Sequence, residues 1–223
     1  MSFLLSAIWS MSIGIAAIIA CWRFRTIHPV FRPFIYCTWL AFVNEILSIS
    51  MVKAIHSNAV NSNIYVLLES LLIVWQFRKW GLFERYKIIF RSILVVLLLA
   101  WITENFIVSS IGHFSSWFRI FYSFIIVLLS ISLLNRLILR EKGLLLKNPI
   151  ALICLTFIIY YTYKVLVETF WVYGLNESST FRSKVYFILN YINLFSNLIY
   201  ALAVLWMPTK HRFTMPYSSA VPS

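Results

Sequence analysis

The chain has 223 residues, 61% hydrophobic and only 12% charged, with a mean hydropathy of +0.86. Soluble domains carry about 25% charged residues, so this composition excludes an ordinary soluble domain and points to lipid as the solvent. Lys and Arg number 19 against seven acids, all of them Glu, for a net charge of +12. In a soluble protein that excess would suggest nucleic acid. Beside long apolar runs it is first a topology signal, and no nucleic-acid partner is expected.

A membrane span needs about 20 mainly apolar residues. Seven stretches qualify: 3–22, 34–52, 63–80, 88–107, 117–137, 149–173 and 185–206. The expected fold is an all-α membrane protein, a bundle of seven transmembrane helices. The first stretch has no basic start and runs into Arg23 and Arg25 rather than a small-residue cleavage site, so it reads as a retained span and not a signal peptide. Its Ser10/Gly14 and Ala17/Cys21 pairs fit either close helix packing or ordinary membrane-helix composition. The second span places Thr38, Glu45 and Ser48 on one face. The third is short and carries Glu69 and Gln76, which share a face with Tyr65. In the fourth, Glu104 sits near an end, where it can reach water.

The sixth span has clear end signals: Asn148 as N-cap, Pro149 in the first turn and Gly174 beyond the end. Tyr160, Lys164, Glu168 and Trp171 share one of its faces, with Lys164 and Glu168 in pairing register at i, i+4. On the seventh, Tyr186, Asn190, Asn193, Asn197 and Tyr200 form a single stripe, and Pro208 closes the helix. Residues 207–223 read as a flexible cytoplasmic tail.

Cys21, Cys37 and Cys154 lack metal-ligand spacing, and His28, His56, His113 and His211 fall in separate loops. No metal or cofactor is expected. The bases sort by loop. Arg23, Arg25, Arg32, Arg78, Lys79, Arg85, Lys87, Arg91, Arg136, Arg140, Lys142, Lys147, Lys210 and Arg212 fall on one side. Only Lys53, Arg119, Arg182 and Lys184 fall on the other. Short-loop bias of this kind makes the fourteen-base side cytoplasmic. The N-terminus is then outside, the C-terminus inside, and the membrane is the cell inner membrane. Trp22, Trp80 and Trp206 mark the inner interface; Trp101, Trp117 and Trp171 mark the outer one.

Ionisable groups inside spans cost at least about 2.5–3.5 kcal/mol each. Four lie away from span ends: Glu45, Glu69, Lys164 and Glu168. At about 1.5 Å per residue all four fall in the outer half. The polar stripes must turn from lipid. Turning helices two, three, six and seven inward creates an outward-open polar pocket lined by Glu45, Glu69, Tyr160, Lys164, Glu168, Asn190, Asn193 and Asn197. A structural Lys164–Glu168 pair and an interhelical asparagine ladder are the plainer alternatives. Glu45 and Glu69 have no obvious basic partner in the sequence.

Retinal proteins share the seven-span outline but need a lysine on the seventh helix, which is absent here. G-protein-coupled receptors carry N-P-x-x-Y there, whereas Asn197-Leu198-Ile199-Tyr200 lacks the proline. Asn44-Glu45, Tyr65 with Leu68-Glu69, and Asn193 with Asn197 and Tyr200 resemble a group of seven-helix bacterial inner-membrane proteins of this size, a resemblance that implies no activity. Three functions compete. The first is a receptor or sensor module whose pocket takes a small ligand or ion and whose basic inner loops meet a cytoplasmic partner. The second is a proton- or cation-coupled secondary transporter using Glu45 or Glu69, although no inverted repeat is visible. The third is an intramembrane enzyme acting on lipid.

Overall fold

The computed structural model describes residues 9–140, 147–173 and 179–209. Among these the chain is helical throughout apart from loops and one isolated bridge between Ile27 and Thr209. The helices are α1 (Ile13–Arg23), α2 (Arg32–Ile55), α3 (Ala59–Lys79), α4 (Lys87–Ile102), α5 (Ser116–Arg140), α6 (Pro149–Val172) and α7 (Ser179–Trp206). A 3-10 turn, Pro29–Phe31, precedes α2, and a π-helical turn, Thr103–Val108, ends α4. Among the described residues six helices are long and apolar enough to cross a membrane, and Ile13–Arg23 is a shorter apolar one. Large apolar side chains remain exposed along all of them, among them Ile18, Ile88, Leu99, Phe106 and Leu139. Such a surface is a liability in water but the normal face of a helix in lipid.

The expected first span is interrupted. The Ser12 hydroxyl donates to the Trp9 carbonyl at 2.6 Å and accepts from Asn197 Nδ2 at 2.9 Å. Local side-chain bonding of this kind competes with the helical ladder, and Met11 and Ser12 form a turn before α1. The end signals of α6 act as expected: Asn148 Oδ1 accepts from Ile150 N at 2.9 Å, and Pro149 occupies the first turn. Gly174, the Arg140, Arg182, Lys184 and Tyr186 side chains, Lys142 and residues 210–223 lie outside the described residues.

Helix α1 packs between α2 and α7, and neighbours then run α2–α3, α3–α5, α5–α6 and α6–α7, closing a ring. Helix α4 lies mainly against α3, outside that ring. We name the two ends of the bundle for Asn58, between α2 and α3, and for Trp80, just after α3.

Several polar residues serve to join helices. Gln76 accepts from Phe34 N at 2.7 Å and donates to the Val30 carbonyl at 2.8 Å, satisfying the buried start of α2. Glu104 is buried and accepts from the backbone N–H groups of Trp117 and Phe118. It therefore caps the start of α5 and does not reach water as expected, because a π-helical turn swings it under that helix. Asn63 binds Asn105, the Ile111 and His113 carbonyls and Ser115 N, tying α3 to the loop before α5. Arg23 donates to the carbonyls of Val204, Leu205 and Met207. That places a cation on the negative end of α7. His28 N also donates to the Pro208 carbonyl at 3.1 Å. Met207–Thr209, the start of the expected tail, are thus pinned to the loop after α1, and Met207 is buried.

The Trp80 half is filled with rings. Phe31, Phe34, Phe77, Trp80 and Phe157 are all buried, with centroid separations of 5.7 Å for Phe77–Trp80 and 6.2 Å for Phe34–Phe157 and Phe77–Phe157. Trp80 thus belongs to this core and not to an interfacial belt. As the C-cap residue of α3, it meets the Phe31 ring edge-on. Trp22, Trp117, Trp171 and Trp206 stay exposed.

Candidate functional site

The Asn58 half holds the buried charge. Glu69 on α3 accepts hydrogen bonds from Tyr65 at 2.7 Å and from Tyr122 on α5 at 2.7 Å. Lys164 Nζ lies 3.6 Å from Glu69 Oε2 and donates to the Tyr122 hydroxyl. The ammonium also sits 5.0, 5.6 and 5.5 Å from the ring centroids of Tyr122, Tyr160 and Tyr161. Lys164 is therefore held in an aromatic cage with a carboxylate at its rim, which compensates much of the cost of its burial. A second pair lies nearer the Asn58 end. Arg119 binds Glu168 at 3.3 Å and Ser62 Oγ at 2.7 Å, and stacks over Phe114.

This pairing corrects the reading from the sequence. Lys164 and Glu168 do not pair with each other along α6. Each reaches to another helix, since crossing the interior lets Lys164 meet Glu69 and its cage while Glu168 meets Arg119. Glu69 has a basic partner after all. Arg119 and Tyr122 were not among the expected site residues. Arg119 passed as a loop charge, and a tyrosine in a span is unremarkable. Their i, i+3 spacing one turn inside α5, facing the same way, is the signal that was available.

Two adjoining voids open beside these pairs. A cavity of about 100 Å³ is lined by residues of α1, α2, α3, α6 and α7 and by Ser10, and it brings together Glu45, Glu69, Tyr160, Asn193 and Asn197. A cleft of about 430 Å³ nearer the Asn58 end is lined by Asn58, Ser62, Arg119, Lys164, Glu168 and Trp171, among others. Glu45, Tyr65 and Tyr160 line both and stand between them. Asn190, expected in the same pocket, is half-buried and lines neither void. Asn197 lines the cavity but gives its amide to Ser12, joining α7 to the chain before α1. Around the cleft, Asn58 donates to Ser48 and Asn61 donates to Asn44 at 2.9 Å, bracing α2 against α3.

Each of the two ion pairs is neutral in itself. Glu45 is different: among the described residues no Lys or Arg pairs with it, and Ser10 is its neighbour in the cavity lining. Asn193 and the hydroxyls of Tyr160, Tyr161 and Tyr200 line the same cavity without hydrogen bonds to described residues. Toward the Trp80 end the cavity stops at Phe34, Ile73 and Phe157. Beyond them lies the ring-filled core, whose amide, Gln76, is consumed by the backbone of residues 30 and 34. No group of three or more His, Cys, Asp or Glu side chains fit to hold a metal occurs among the described residues. Comparison with protein families, with curated proteins and with solved structures yields no match.

Proposed function

We propose that this chain is a receptor- or sensor-type module of the bacterial inner membrane, spanning it seven times with the N-terminus outside and the C-terminus in the cytoplasm. The single observation that carries this reading is the one-sided interior. A polar cavity and cleft serve the Asn58 end, and packed rings close the Trp80 end. A small ligand or ion enters from outside. The bases on the other side, Arg78 to Arg91 foremost, meet a cytoplasmic partner and the anionic lipid surface. The base distribution supports the orientation.

A coupled transporter is the second reading, and Glu45 favours it, since a carboxylate without a basic partner can carry a proton or cation. The ring-filled half weighs against it, because transport would need a path through Phe34, Phe77 and Phe157.

Labelling of intact cells tests the reading. With Cys21, Cys37 and Cys154 replaced by Ala, Asn58→Cys should react with a membrane-impermeant maleimide from outside. Glu84→Cys should react only after the membrane is opened. The opposite pattern would reverse the module and end the receptor reading. Substrate accumulation in proteoliposomes that is lost in Glu45→Gln would replace it with the transporter.

A further inference from the structure

The cavity has a definite chemistry. Among the described residues, the cavity and the adjoining cleft together hold three carboxylates, Glu45, Glu69 and Glu168, against two cations, Lys164 and Arg119. The cations are already matched to Glu69 and Glu168. The surplus negative charge is therefore Glu45, which lines both voids. Among the described residues, the acceptors beside it that make no hydrogen bond are Asn193 and the hydroxyls of Tyr160, Tyr161 and Tyr200. Tyr65 and Tyr200 supply further aromatic walls, while Tyr160 and Tyr161 already face Lys164. The remaining lining, with Ile13, Phe34, Ala41 and Ile73, is apolar.

We propose that this cavity binds a small organic ammonium ion, its charged head between Glu45 and Asn193 and its carbon tail against the apolar wall. This rests on the pocket reading above and names the ligand class. A carboxylate with aromatic faces is a recognised ammonium receptor. An inorganic divalent cation would demand six or more oxygens around one point, whereas here the polar groups occupy one side and hydrocarbon the other. Size sets a further limit. The volume of about 100 Å³ is smaller than the roughly 150 Å³ cavity that admits benzene. The guest is thus a short alkylammonium rather than a large aromatic amine.

The experiment uses the full chain in detergent and n-propylammonium as the probe, read by titration calorimetry. Propylammonium should bind, and neither 1-propanol nor propionate should bind or compete. Glu45→Gln should weaken binding at least tenfold, and Asn193→Leu should weaken it severalfold, with melting curves close to wild type. Should Glu45→Gln fail to fold, the comparison of propylammonium with 1-propanol on the unmodified protein still decides. Equal binding of the alcohol, undiminished binding in folded Glu45→Gln, displacement by equimolar sodium, or no propylammonium binding would each overturn the proposal. Failure here with normal Asn58→Cys labelling leaves the pocket reading standing. Loss of outside labelling removes that reading itself.

Discussion

The Asn58 half and the Trp80 half of the bundle share their helices but are filled with opposite chemistry. One half holds two crosswise ion pairs, a tyrosine cage and two voids; the other holds interlocked rings and one amide committed to backbone. In lipid there is no hydrophobic drive to push helices together, so packing and polar bonds must hold them. The ring-filled half does this by filling space. The charged half does it by matching charge, and it pays in the voids that a ligand can enter. Ring packing and buried charge are thus segregated along the helix axes.

The largest expected effect tests the charged half. Lys164→Met leaves Glu69 buried with only tyrosines and should lower unfolding stability by about 3–5 kcal/mol. Adding Glu69→Leu should recover most of that loss, because the uncompensated charge disappears. Denaturant unfolding in micelles, run as a double-mutant cycle, measures the coupling. An additive double mutant would show that the pair is not a unit. In the other half, Phe77→Ala should cost less than the roughly 3–5 kcal/mol of a water-soluble core, since lipid removes much of the transfer contribution and leaves the cavity. No second substitution that removes a charge should rescue it, which is the contrast between the halves.

A smaller effect belongs to α1. A Cβ built on Gly14 would lie 2.8 Å from Phe42 Cε2. Gly14→Val should therefore push α1 from α2 and destabilise by about 1–3 kcal/mol, with Phe42→Leu relieving part of it; thermal melts of the single and double variants read this. The smallest is a pH effect at the Trp80 end. Burial pushes the His28 imidazole below its ordinary range, and its Nδ1 accepts from Val30 N. Folding thus disfavours the protonated ring. Melting temperature should fall slightly as pH drops through the unfolded value of about 6.5, and the fall should level off below the folded value. His28→Asn should flatten that step.

The division of labour between sequence and fold can be read from particular residues. Composition and span length determined the helical membrane class, because apolar length against bilayer thickness is a one-dimensional property. The cap at Asn148 was equally legible, since capping is settled within a turn. The inward faces of Glu45, Glu69, Tyr160, Asn193 and Asn197 followed from spacing alone, because a polar stripe has one direction to turn in lipid. Only the tertiary structure decided which charges meet. Lys164 finds Glu69 and a ring of tyrosines, Glu168 finds Arg119, Glu104 caps the next helix, and Trp80 joins the core. Partner choice depends on how neighbouring helices are rotated and placed in depth, and helical spacing within one segment carries no record of either.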